Sequence, residues 1–436
     1  MARRYWLETL GCPKNQVDSD KIAGGLAEQG YRPAAEVAEA DLVVVNTCAF
    51  IDEARRESLE TVEGLAAQRR PGARLVVTGC LAERAGSGLR QGHPEIDAVA
   101  GFGEPLALGP TRRGRRRSLE VSGSGPAPRM DLLNMPRPPA AAPWAYVKIA
   151  EGCDRRCGYC AIPSFRGPQR SRSPEAILAE IEALGASEVV LVAQDLASYG
   201  RDGGRGERRL VPLLEAAREL AQWVRLLYLY PSDLTDELIS AILATGVPYF
   251  DLSLQHASRP LLRRMRRWGD GERFAARIAE IRREAPHAAF RSNFIVGYPG
   301  ETEEDHDELL AFVSEAQLDW VGIFAYSEEQ GTYSEGLDGR VPEPLVAERM
   351  AELREVCDEI TERCRRDLVG STTIVLVDRP GRARSHREAP EIDGLVEVPD
   401  DLAPGSFADV EIVGAAGVDL AALPVVPVGT AAEAGL

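Results

Sequence analysis

Short apolar runs separated by amphipathic stretches set the rhythm of the first hundred residues. RYWLETL (4–10), DLVVVNT (41–47) and ARLVVTG (73–79) are rich in Val, Leu and aromatics over lengths that suit strands. Between them, helical periodicity predicts one helix over about 17–29, with Asp18 or Ser19 as candidate cap, and another over about 52–67 with an acidic first turn. This alternation predicts a parallel sheet with helices on its faces. It returns further on, with strands predicted near 145–150, 187–193, 224–230, 248–254, 288–296 and 319–325. One intervening helix opens on Ser173-Pro174-Glu175, which combines a capping side chain, a proline at the first helical position and an early acid. Six such units with right-handed crossovers predict a partial (βα)6 barrel of the TIM type. A long helix is expected over about 343–368. After Gly370 the helices stop, and TTIVLVD, GRARSHRE, IDGLVEV and SFADVEIVG predict a small all-β barrel.

The chain therefore reads as α/β overall, with domains at 3–118, 139–369 and 370–436 and a linker at 119–138. TRRGRRR, SGSGPAP and MPRPPAAAP mark the loop-rich stretch around that linker. Its arginine run offers a contact for RNA, but a solvated connection is the simpler reading, since the run is short and lacks interleaved aromatics. A formal charge of −17 and a pI near 5.0 argue against nonspecific attraction to nucleic acid. Lysine is confined to Lys14, Lys21 and Lys148, which reads as a codon bias. The N-terminus has no signal-peptide apolar core, and no run approaches membrane-spanning length. A cytoplasmic protein with no membrane partner is expected, and in that compartment thiols stay reduced.

Eight cysteines then need explaining. Cys153, Cys157 and Cys160 stand in a C-x3-C-x2-C spacing within EGCDRRCGYCAIPSFRG, enough for three corners of an iron–sulfur cube and one iron left open. A zinc site or a redox disulfide is the alternative, but zinc wants a fourth ligand, and the nearest histidine, His93, is far upstream. Cys12, Cys48 and Cys80 each follow a predicted strand. Ligands of parallel sheets bind beyond the carboxyl ends of strands, so these three should converge as a second thiolate site. Three buried small hydrophobes is the competing reading. Cys357 and Cys364 lie on one helix face and suit packing.

Polar residues after the barrel strands are candidates to face a nucleoside: Gln194 and Asp195, then Ser253 and Gln255, then Asn293. In RSNFIVGYPGETEED, Gly297, Gly300 and Glu301 form a turn that equally opens the next helix. His256 is assigned no chemistry, and no side chain is assigned as catalytic.

The three-cysteine spacing, with Tyr159 before the last Cys, resembles the radical S-adenosylmethionine superfamily. There the glycine-containing strand and P-G-E turn contact the adenosyl part. The resemblance implies S-adenosylmethionine contacts at Tyr159, Gln194, Ser253, Gln255, Asn293, Gly297, Gly300 and Glu301. LGCPKNQVDSD, VVNTCAFIDEAR and VVTGCLAER resemble the N-terminal, flavodoxin-like domain of the methylthiotransferase family, which implies that Cys12, Cys48 and Cys80 hold an auxiliary 4Fe-4S cluster beside the one at Cys153, Cys157 and Cys160. The final segment resembles a TRAM domain, an OB-like barrel. From 366 to 436 it carries five arginines against twelve acids, a balance of −7, which suits a basic polypeptide better than a phosphate backbone.

The phrases LGCPKNQVDSD, AYVKIAEGCDRRCGYCAIPSFRGPQRSR, LQHAS and PEIDGLVEV resemble the RimO type, which modifies the β-carbon of an aspartate in small-subunit ribosomal protein twelve. The resemblance implies S-adenosylmethionine as both radical source and methyl donor, a reducing electron donor, and that ribosomal protein as partner, met through the TRAM domain. Two alternatives stand. A tRNA adenosine methylthiotransferase would suit the arginine run and the basic stretch 259–267, against the acidic final domain. An electron-transfer protein using both clusters as wires would need no S-adenosylmethionine pocket.

Overall fold

A computed structural model describes residues 2–104, 131–203 and 207–425. In the first domain, strands β1 (Arg4–Thr9), β2 (Arg32–Pro33), β3 (Leu42–Thr47), β4 (Arg74–Gly79) and β5 (Ala98–Val99) form one parallel sheet in the order β2-β1-β3-β4-β5. The three cysteine-bearing strands are thus neighbours. Helix Asp52–Gln68 matches its expected span and opens on Asp52 and Glu53. The first helix does not. It runs Pro13–Glu28, with Cys12 as the cap position, so neither Asp18 nor Ser19 caps it. Pro13 presets the first helical φ, and the periodicity is hidden because Lys14, Asn15, Asp18 and Lys21 are polar yet buried.

The second domain contains β6 (Trp144–Lys148), the short antiparallel pair β7 (Ala150–Glu151) and β8 (Arg170–Ser171), then β9 (Glu188–Val192), β10 (Trp223–Leu226), β11 (Tyr249–Gln255), β12 (Ala289–Val296) and β13 (Trp320–Ala325). Two parallel sheets, β6-β9-β10 and β11-β12-β13, join through the backbone of Leu229, whose N–H donates to Asp251 O at 2.9 Å while its carbonyl accepts from Ser253 N at 2.9 Å. The result is a six-stranded partial barrel, open between β6 and β13. Ser173 caps the helix Pro174–Leu184 through Ala176 N at 3.2 Å, as its sequence predicts. Outward-facing Leu252, Phe290 and Phe294 pack under the helices with Ile278, Leu309 and Phe312, so the strands are buried on both faces, as parallel strands are.

The first domain lies across the open side. Its helix Pro13–Glu28 packs against β6, with Asp18 paired to Lys148. At the other edge, Arg55 and Arg84 both reach Glu329, just past β13, at 2.5 Å. Of the expected linker, residues 131–138 lie against the first domain: Leu132 joins its core, and Lys21 donates to Leu133 O at 2.5 Å. Residues 119–130 and the arginine run lie outside the described residues.

The third domain is a closed barrel, β14-β15-β16-β18-β17, made from β14 (Thr372–Arg379), β15 (Arg382–Ser385), β16 (Val396–Glu397), β17 (Phe407–Ala416) and β18 (Asp419–Pro424). It docks under the partial barrel of the second domain, at the beginnings of the strands. Arg225 and Arg384 share the buried Glu188, at 2.7 and 2.5 Å, and Tyr249 Oη donates to Asp393 at 2.6 Å. Helix Glu343–Arg366 buries Cys357 and packs Cys364 against the same core. Among the described residues no helix is long and apolar enough to cross a membrane.

Candidate active site

Cys12, Cys48 and Cys80 stand at the carboxyl ends of β1, β3 and β4. Asn15 ties these ends together: its Nδ2 donates to Leu10 O at 2.8 Å and to Thr47 O at 3.0 Å. Ser58 brackets Cys48, accepting from its N–H at 3.1 Å and donating to its carbonyl at 3.0 Å. Burial pushes the Cys48 thiol up to about 12, with Cys12 and Cys80 adding to the rise. Burial also pushes Cys12 up, but Lys14 and Arg166 beside it outweigh that and leave it below its usual value. The three sulfurs therefore sense one another, and they meet at the N-terminus of helix Pro13–Glu28, where backbone N–H groups favour an anionic group.

The second trio lies on the loop after β6. Gly152 makes it possible: its φ is +79°, and a Cβ there would lie 2.1 Å from Pro168 O. Only glycine takes that backbone at that approach. Cys153 N then donates to Gly167 O at 3.1 Å, and Gly158 N to Met265 O at 2.7 Å. Burial raises Cys153 to about 11 and Cys160 to about 12. Arg267 donates to Cys157 Sγ at 3.4 Å, hydrogen-bonds the Ser253 carbonyl and lies over the Tyr230 ring at 4.1 Å. Arg155 covers the same ring at 3.9 Å and pairs with Asp195 at 2.6 Å and with Asp233.

Both trios fit a cluster better than a single ion. Tetrahedral zinc holds its thiolates about 3.8 Å apart given Zn–S bonds near 2.3 Å. Among the described residues, the only potential ligand group drawn within 4.8 Å is Glu63, His93 and Glu95, and neither cysteine trio is so contracted. An iron–sulfur cube spaces its ligands more widely.

Arg166 joins the two sites. It ends the helix Ile162–Arg166 that follows Cys160, and its Nη2 donates to Cys80 Sγ at 3.1 Å and to Asn15 Oδ1 at 2.7 Å. Its Nη1 pairs with Glu151 at 2.8 Å and Asp18 at 3.2 Å. Despite burial, Arg166 and Lys148 hold the Glu151 carboxyl down at about 2.

The barrel strands sort the remaining candidates. On β11 and β12, Leu252, Leu254, Phe290 and Phe294 face the helices, so the alternating Asp251, Ser253 and Gln255, and Arg291 and Asn293, face the lumen. Among the described residues, Asn293 Oδ1 and Gln194 Oε1 are buried without a hydrogen-bond partner, while Gln194 Nε2 donates to Glu151 at 2.9 Å. Tyr159 packs on the barrel core beside Arg267. Gly297 and Gly300 both have positive φ, and a Cβ would meet Val346 at 2.5 Å and Arg264 at 2.8 Å. Glu301 turns inward: its Oε2 accepts from Gly297 N and Tyr298 N, and burial raises its carboxyl to about 7. That carboxylate closes the turn, while the next residue, Thr302, caps the following helix.

Comparison with known proteins agrees with this arrangement. Residues 4–101 match Uncharacterized protein family UPF0004, 147–313 the Radical SAM superfamily and 369–425 the TRAM domain. A ribosomal protein uS12 methylthiotransferase RimO of Moorella thermoacetica is 45% identical, covering 93% of this chain and 95% of its own. One from Cutibacterium acnes is 40% identical over 96% and 97%. The chain belongs to the RimO family of methylthiotransferases. Among solved structures, the radical S-adenosylmethionine methyltransferase TsrM of Kitasatospora setae, with cobalamin and a 4Fe-4S cluster bound, shares the fold at a TM-score of 0.50 and 14% identity, covering 93% of this chain and 80% of that one.

As a RimO-family enzyme, the protein transfers a sulfur-containing group and uses two 4Fe-4S clusters with S-adenosylmethionine. The relatives do not favour the tRNA alternative. Sequence reasoning gave no role to Arg155, Arg166 or Lys14, although each lies within three residues of a cysteine or in a quoted motif, and it read Arg267 only as part of the basic stretch 259–267. Arg201 and Arg208 both pair with Asp233, at 2.6 and 2.8 Å. A surface groove of about 630 Å3 runs beside helix Gly271–Glu284, lined by Leu252, Leu254, Trp268 and Phe274 among others; it includes no cysteine and lies outside the RimO-type lumen.

Proposed function

We propose that the protein places a methylthio group on the β-carbon of an aspartate in ribosomal protein uS12, in the cytoplasm, drawing on a reducing electron donor. The observation that carries the reading is the pair of three-cysteine sites set against one barrel lumen and joined by Arg166. Cys153, Cys157 and Cys160 would hold the cluster that binds S-adenosylmethionine, and Cys12, Cys48 and Cys80 the auxiliary one. Bound there, the clusters and S-adenosylmethionine supply a radical able to take hydrogen from an unactivated carbon, a step beyond any side-chain base at neutral pH.

This chain's own residues bind and orient. Gln194, Ser253, Gln255 and Asn293 line the lumen for the nucleoside, with Tyr159 beside the cluster loop. Gly297 and Gly300 let backbone approach it, and Glu301 serves by fixing their turn. Arg155 and Arg267 place positive charge beside the cluster thiolates, which stabilises their anionic form. The acidic TRAM barrel engages the basic ribosomal protein. The test is mass spectrometry of ribosomal proteins and tRNA after anaerobic turnover of the reconstituted enzyme. A methylthio gain on uS12 that disappears with Cys153→Ala supports the reading; a gain on tRNA alone refutes it.

A further inference from the structure

All three lysines of this chain are buried, and two are fully paired. Lys21 bonds Leu133 O at 2.5 Å and Glu180 at 3.3 Å, while Lys148 meets Asp18 and, at 2.6 Å, Glu151. Lys14 differs. It is 9% exposed, yet among the described residues its ammonium makes no hydrogen bond and no ion pair. What it touches is the Tyr228 ring, 3.3 Å from Nζ to the centroid. A buried ammonium with unspent donors is costly. Its position in the first turn of helix Pro13–Glu28 also sets it against the helix dipole. Lys14 therefore does not serve the fold of its own helix.

Its surroundings point to a ligand. Lys14 follows Cys12 by two residues and reaches across the domain boundary to the end of β10. Tyr228 has φ +67°, a conformation that a bulky residue rarely adopts and that gathers at ligand clamps. The strained backbone is held by Asp251, whose Oδ2 accepts from Tyr228 N at 2.9 Å; among the described residues Asp251 Oδ1 accepts no hydrogen bond and lies 3.9 Å from Arg291 Nε. Arg166 donates to Cys80, and the Lys14 ammonium stands beside Cys12 without bonding it. Lys14 thus lies between the auxiliary cysteines and the lumen-facing Asp251, against the Tyr228 ring.

We propose that Lys14 is the residue that recognises the acceptor: its ammonium pairs with the side-chain carboxylate of the aspartate to be modified, and the Tyr228 ring forms the wall beside it. The inference rests on the aspartate reading above. A carboxylate fixed at Lys14 holds the carbon next to it beside the auxiliary cysteines, and an asparagine or a nucleobase offers no matching charge. The ammonium thus selects the substrate class and orients it, acting on binding.

The test is isothermal titration of the reconstituted enzyme with recombinant uS12 and with uS12 whose acceptor Asp is changed to Asn, together with iron content and electron paramagnetic resonance of both clusters. The wild type is expected to prefer the Asp form by about 10- to 100-fold, the range of a charged hydrogen bond. Lys14→Met and Lys14→Gln should lose that preference with both cluster signals intact, and Lys14→Arg should retain part of it. Preference persisting in either neutral variant overturns the proposal. Loss of auxiliary iron in both neutral variants overturns it too, by assigning the lysine to the cluster. A wild type that binds both forms equally overturns the proposal as well, whereas a wild type that binds neither form of uS12 refutes the aspartate reading on which it rests.

Discussion

Arg166 Nη2 donates to the sulfur of Cys80 at 3.1 Å, although the two residues belong to different domains. The same guanidinium pairs with Glu151 at 2.8 Å and lies 4.1 Å from the Phe102 ring centroid. One buried side chain thus couples the ends of two cysteine loops.

Arg166→Met should therefore strip the auxiliary site and loosen the domain junction together. Leaving Asp18 and Glu151 buried with only Lys148 costs about 3–5 kcal/mol, as unpaired buried charges do. Denaturant titration of the cluster-free protein and iron per chain after reconstitution measure both. Unchanged stability with full iron would show that the bridge is dispensable.

Gly152→Ala should act chiefly on the other site. The 2.1 Å approach to Pro168 O forces the loop to move before Cys153. Iron content is expected to fall by about half, with loss of the S-adenosylmethionine-sensitive signal and retention of the auxiliary one, since one of two equal open sites remains. A variant that binds S-adenosylmethionine normally would refute this.

Glu188→Ala should detach the third domain. It leaves Arg225 and Arg384 buried without their shared carboxylate, a loss of about 3–5 kcal/mol. Limited proteolysis should then release a C-terminal fragment that the wild type protects.

His256 predicts an acid limit. It is fully buried, accepts from Ser258 N at 3.1 Å through Nδ1, and burial lowers it to about 3. Between that value and its ordinary one near 6.5 the unfolded chain binds the extra proton, so stability is present above pH 6.5 and is lost as pH falls. By pH 5 the loss is about 2 kcal/mol. His256→Asn, whose amide does not titrate, should flatten that part of the pH profile in denaturation midpoints.

The six barrel strands were legible to within a few residues because β-branched runs bounded by turns carry their own signal. Both cysteine trios were legible because each sits at a strand end. The start of the first helix was not. Lys14, Asn15 and Asp18 are polar and buried, so the apolar pattern begins only at Val17. Lys14 lies on the Tyr228 ring, Asn15 accepts from Arg166 and Asp18 pairs with Lys148, all across the domain boundary, and no local periodicity reports that. The sparse lysines read as codon bias, yet all three proved buried, where a compact ammonium and a planar guanidinium are not interchangeable. The fifth barrel strand, Asp419–Pro424, escaped because its small residues lack an alternating pattern.

The TRAM barrel grips the strand beginnings of the radical domain, whereas both cysteine sites lie past the strand ends. A macromolecule held by that barrel must span the full depth of the enzyme to deliver one side chain. If the barrel holds the partner as proposed, length acts as a gauge: an excised loop peptide would gain nothing from the distant handhold, while the intact globular partner would be measured against both ends at once.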